Sequence, residues 1–124
     1  DRVCATLPPF VCRAYGLGVF GTKRMPTTLW AGVDPSPELD LLHEQLWLEL
    51  EKYGLKNKTS DFRPHITLGR CRSKTNNRNL VRAMENDGEI EFGDWTVKGV
   101  TLYESRLTPH GALHRRLNQS PLLG

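Results

Sequence analysis

Arg63-Pro64-His65-Ile66-Thr67-Leu68-Gly69-Arg70 gathers a histidine, a hydroxyl and two guanidinium groups into one short stretch. Read as a strand, it sets Arg63, His65 and Thr67 on one face, with Ile66 and Leu68 on the other. The apolar pair suits a core. The polar face offers an anion a proton-transfer group, a hydroxyl donor and positive charge, the set that phosphoryl chemistry needs. Arg70 has the wrong parity for that face, so it joins only where the strand ends or bulges near Gly69. The same residues also fit a plainer reading, a buried strand whose histidine is satisfied by a neighbour.

Around this stretch the charge is uneven. Between Lys56 and Arg82 stand Lys56, Lys58, Arg63, Arg70, Arg72, Lys74, Arg78 and Arg82, against the single acid Asp61. Acids collect elsewhere, from Glu38 to Glu51 and from Glu85 to Asp94. A basic segment around the histidine favours an anionic ligand such as a nucleic-acid phosphate, although a solvated basic surface with no ligand shows the same pattern.

At 124 residues the chain has room for one domain with a real core. No apolar run reaches the length of a membrane span, and no charged-then-apolar leader opens the chain. Cys4, Cys12 and Cys71 form an odd set without paired short spacing. They suggest neither a disulfide framework nor a zinc site, so a reducing, cytoplasmic home without a bound metal is expected.

Outward from the histidine, the clearest element is a helix over 37–53. Ser36 stands as its cap, Pro37 takes its first position, and Leu39, Leu42, Leu46, Leu50 and Tyr53 form its apolar stripe. Gly54 supplies the stop. Residues 1–9 read as irregular, 10–19 as a strand loosened by Gly16 and Gly18, and 27–33 as a short strand between prolines. Thr75-Asn76-Asn77 starts a second helix through Met84. A brief strand or turn follows at 89–92, a longer strand at 95–105 with room for a bulge at Gly99, a turn at 108–111, and an edge strand at 112–117. The tail, 118–124, reads as polar. The order predicts an α+β domain with helices on one face of a mainly antiparallel sheet. Trp30, Trp47 and Trp95 read more simply as core or rim aromatics than as base-stacking platforms. Ser105 lacks a nucleophile elbow, which argues against a serine hydrolase.

Taken in order, several blocks resemble the two-histidine phosphoesterase superfamily, and within it the RNA 2′,3′-cyclic phosphodiesterases also known as 2′-5′ RNA ligases. They are Gly16-Leu17-Gly18-Val19-Phe20, the run from Pro26 through Trp30-Ala31-Gly32-Val33, and the helix ending at Gly54. Phe62 through Arg70 follows, then Trp95-Thr96-Val97, Leu102-Tyr103-Glu104-Ser105 and Leu107-x-Pro109-x-Gly111. The resemblance implies a bilobal α+β fold with two His-x-Thr motifs across a cleft. One histidine serves as general base on water and the other as general acid on the leaving ribose oxygen, and no metal or other cofactor takes part. His65 and Thr67 match the second motif as catalytic residues, and Arg63 and Arg70 stand as phosphate- or RNA-binding residues. RNA or a nucleotide with a cyclic phosphate end is the implied partner.

The resemblance has one departure. His43 is followed by Glu44-Gln45, His110 by Gly111-Ala112 and His114 by Arg115-Arg116, so His65 heads the only His-x-Thr. The family's first motif precedes the Gly-x-Gly-x-Phe block, and the chain reads as a single domain, 1–124, incomplete at its amino end. Neither His110 nor His114 reads as having the strand context to stand in. Sheet edges left open by such a truncation favour a homodimer. The resemblance thus implies hydrolysis of terminal 2′,3′-cyclic phosphates to 2′-phosphates. A non-catalytic module gripping RNA ends or nucleotide phosphates with one motif is the alternative.

Overall fold

The computed structural model describes residues 1–22, 25–56, 62–71 and 78–124, with Arg78 as backbone only. Helix α1 (Arg2–Thr6) leads into β1 (Phe10–Gly21) and β2 (Pro26–Val33). Helix α2 (Pro37–Glu51), β3 (His65–Arg70) and α3 (Arg78–Asp87) follow, and β4 (Glu91–Val97), β5 (Gly99–Thr108) and β6 (Gly111–Pro121) close the chain. Two compact units result: 1–11, 37–58 and 96–124 form one, and 12–36 with 59–95 the other. The α+β expectation with antiparallel pairing holds.

The first unit packs α1 and α2 with the β5–β6 ribbon. Its core is Cys4, Leu42 and Leu122, with Val3, Leu46 and Val100 against them. Two expectations fail here. Residues 2–6 are helical rather than irregular, because docking the buried Cys4 offsets the cost of so short a helix. The supposed polar tail is strand to Pro121 and then core. Leu122 is only 4% exposed, and its N–H donates to the Lys98 carbonyl at 2.8 Å.

Helix α2 begins at Pro37 and carries Glu38 and Asp40 in its first turn, where carboxylates suit the helix dipole. Gly54, at φ +83°, follows its end. Of the expected stripe only Leu42 is buried, and Leu50 and Tyr53 are exposed.

The second unit is built on a four-stranded sheet in the order β3-β2-β1-β4. A bulge interrupts β1 between Ala14 and Leu17, where Gly16 sits at φ +78° and donates its N–H to the Ile90 carbonyl at 2.8 Å. The Gly-x-Gly run is therefore a bent strand. At the start of the second helix, residues 75–77 lie outside the described residues; from Arg78 onward α3 turns Leu80, Val81 and Met84 half inward. The single long strand expected over 95–105 is two strands that break at Lys98. Trp95 ends up in β4, and Gly99 opens β5 rather than bulging it.

Candidate active site

Register decides which residues meet. Strand β3 runs antiparallel to β2 with Gly32 opposite His65, Trp30 opposite Thr67 and Thr28 opposite Arg70. The pairing slips by one residue at Leu68. Residues directly opposite share a face, and one inserted residue reverses the parity of everything beyond it. The bulge at Leu68 therefore brings Arg70 onto the face of His65 and Thr67. Arg70 Nη1 donates to the buried Thr28 Oγ1 at 3.4 Å, which ties the guanidinium to this face.

Strand β1 extends the same face, with Gly18 opposite Trp30 and Phe20 opposite Thr28. The Phe20 ring meets His65 edge-on, 4.8 Å between centroids at 88°, and Trp30 lies 6.1 Å away. Trp30 spreads over Gly18: a Cβ there would fall 2.1 Å from the indole. Bare backbone at that position is what lets the indole lie down beside the histidine. The indole Nε1 is buried with no hydrogen-bond partner among the described residues. Trp30 is thus a wall of this face, in keeping with the reading of it as a core or rim aromatic.

His65 is exposed, and its Nδ1 lies 2.7 Å from the Arg63 carbonyl oxygen. A carbonyl only accepts, so Nδ1 carries the proton and Nε2 is left as the working nitrogen. That atom is a lone-pair base in the neutral ring and an N–H acid in the charged one.

Arg63 differs from expectation. The strand begins at His65, and pairing with β2 reaches only to the Pro64 carbonyl, which accepts from Val33 N–H at 3.1 Å. Pro64 has no N–H to carry the ladder further. Strand alternation therefore does not extend to Arg63, and its backbone oxygen is what meets His65. Ile66 and Leu68 also depart from the reading, at 44% and 50% exposed, because β3 is an edge strand covered from one side only. In the basic segment, Lys58, Arg72 and Lys74 lie outside the described residues.

His114 lies within β6, as the edge strand read over 112–117 implies, opposite Ser105, with Nδ1 2.8 Å from Ser105 Oγ. The last strand runs to Pro121, four residues past the apolar pattern that suggested its end. His110 sits in the turn between β5 and β6.

Away from His65, Arg13 is the most heavily bonded cation of the second unit among the described residues. Its guanidinium donates to Glu91 at 2.9 and 3.0 Å and to Asp34 at 2.9 Å, and it lies over the Tyr15 ring. These bonds hold Arg13 charged and pull the Glu91 carboxyl below the usual carboxylate range. They fasten β4 and the end of β2 to β1.

A family model described as the 2′-5′ RNA ligase superfamily matches residues 1–109. The chain belongs to that superfamily. It is 31% identical over 112 residues to an RNA 2′,3′-cyclic phosphodiesterase of Archaeoglobus fulgidus, covering 90% of this chain and 62% of that protein. A second RNA 2′,3′-cyclic phosphodiesterase, from Thermotoga maritima, is 30% identical over 120 residues, or 94% of this chain and 60% of the relative. The chain thus spans about three fifths of the length of these curated relatives. Among solved structures, TT0787 of Thermus thermophilus superposes with a TM-score of 0.74 at 27% identity, covering 99% of this chain and 66% of that one. The superfamily member thus keeps the α+β fold of its relatives through the region that carries the His65 face.

Proposed function

We propose that the face of His65, Thr67 and Arg70 handles the phosphate in an RNA 2′,3′-cyclic phosphodiesterase, converting terminal 2′,3′-cyclic phosphates to 2′-phosphates. The reading is carried by the bulge at Leu68, which gathers imidazole, hydroxyl and guanidinium on one face. Water adds to phosphorus as the bond to the ribose 3′ oxygen breaks. One proton leaves the water for a base, and another reaches the 3′ oxygen from an acid. His65 Nε2 takes one of these roles, while Thr67 and Arg70 hold the non-bridging oxygens as charge builds there. Two imidazoles are enough for this chemistry without a metal, and this chain's own contribution to the pair is His65. The names of the relatives support the substrate class.

A single His-x-Thr also favours a second reading, a module that grips phosphate without turnover. The two part on mutation. Turnover of a 2′,3′-cyclic nucleotide that falls about 10²–10⁴-fold in His65→Ala supports the enzyme. Phosphate affinity that survives His65→Ala but is lost in Thr67→Ala and Arg70→Ala, with no turnover in wild type, supports the module.

A further inference from the structure

The β5–β6 ribbon has two unlike faces. Val100 and Ser120 stand opposite each other on the inner one, Val100 packed on the core and Ser120 buried. Alternation places Thr101, Tyr103, Ser105 and Leu107 on the outer face. A bulge at Leu117 keeps Gln119, Arg116 and His114 beside them.

The charges divide between the faces. Arg106 and Arg115 belong to the inner set, and both pair with Glu104, at 3.3 and 3.5 Å. Arg116, on the outer face, makes no ion pair among the described residues; its Nη1 donates to Gln119 Oε1 at 3.1 Å. Among the described residues of β5 and β6, no acid stands on that outer face. Beyond Gln119 the face runs into a concavity bordered by Lys98 and Thr101.

Tyr103 lies directly across from Arg116 and is 56% exposed. In the next row Ser105 and His114 are hydrogen-bonded, which fixes the imidazole through Nδ1 and turns Nε2 outward. Successive rows on one face are roughly 6.6 Å apart. An exposed aromatic set across from an arginine that is in no ion pair among the described residues, with an imidazole in the next row of an open ribbon, is the pattern of a single-stranded nucleic-acid track. Bases stack on the ring there, and phosphates meet the cations.

We infer that the outer face of β5–β6 is a second RNA contact, with Tyr103 stacking a base and Arg116 and His114 holding backbone phosphates. It rests on RNA being the substrate, but it binds the strand rather than the cyclic end. A compact inorganic anion has no use for Tyr103, which is why a polynucleotide is preferred.

The test is fluorescence anisotropy with a short single-stranded RNA bearing hydroxyl ends, which offers the His65 face no terminal phosphate. Arg116→Ala and Tyr103→Ala should each weaken binding about tenfold. Tyr103→Phe should retain it, and the salt slope should fall by about one in Arg116→Ala. Arg115→Ala removes the same charge from the inner face and should stay within about twofold of wild type, as expected for a cation already paired to Glu104. Wild-type affinity in both Arg116→Ala and Tyr103→Ala would overturn the inference. So would an equal loss in Arg115→Ala, which would mean diffuse charge rather than a track. Hydrolysis of a cyclic mononucleotide, which has no strand to track, reports separately on the His65 reading.

Discussion

His65 owes its working nitrogen to a backbone oxygen two residues away. Because the Arg63 carbonyl holds the Nδ1 proton, the neutral ring keeps its lone pair on Nε2 in one defined tautomer. His65→Gln keeps polarity but loses the titrating nitrogen, so it should lower cyclic-nucleotide turnover nearly as far as alanine does. Steady-state kinetics of the two variants check this. Gly18 is as constrained by its neighbour as His65 is by chemistry. Gly18→Ala must push the Trp30 indole aside, with an expected loss of about 1–3 kcal/mol of stability. A lowered urea midpoint with a red-shifted tryptophan emission would record it. His65 and Thr67 were legible because two-residue alternation is a local property. The meaning of Gly18 was not, because the ring that presses on it comes from another strand.

At the scale of elements, the bulge in β3 decides whether Arg70 belongs to the site. Parity alone excludes it, and the sequence reading could say only that a break near Gly69 was required. The structure puts the extra residue at Leu68. Deleting Leu68 restores regular alternation and turns Arg70 to the opposite face. Phosphate affinity should then fall as in Arg70→Ala, about 10–100-fold, the value of a charge-assisted hydrogen bond. Isothermal titration of both variants with inorganic phosphate makes the comparison, and an affinity near wild type in the deletion would remove the bulge from the account. Helix α2 was readable because cap, stripe and stop agree along the sequence. Helix α1, the break at Lys98 and the full length of β6 were not. Helix α1 depends on partners distant in the chain, Cys4 packing on Leu42 and Leu122, and the length of β6 depends on pairing with β5 that runs past its apolar pattern.

Across the whole molecule, acid should loosen what the exposed ion pairs hold. Hydrogen bonds from Arg13 lower the Glu91 carboxyl, and those from Lys52 lower Glu49. A carboxyl lowered in the folded state contributes stability above its unfolded value of about 4.3 and loses it as pH falls through the folded value. Urea midpoints should therefore be flat near neutrality and drop below about pH 4.5, with a shallower drop in Glu91→Gln. Both carboxylates are accessible to water, so the change is modest. Among the described residues β5 and β6 also pair with each other alone, and Leu107 is 92% exposed. Self-association through these edges is the expected behaviour at micromolar concentration, and a clean monomer by light scattering would contradict it.

The most direct measurement is phosphorus NMR of a 2′,3′-cyclic nucleotide incubated with the chain and with His65→Ala. Conversion to the 2′-phosphate by the wild type, slowed about 10²–10⁴-fold in the variant, is the predicted result. Equal rates in the two proteins would contradict the assignment of His65 to the reaction, and a 3′-phosphate product would contradict the cleavage at the ribose 3′ oxygen.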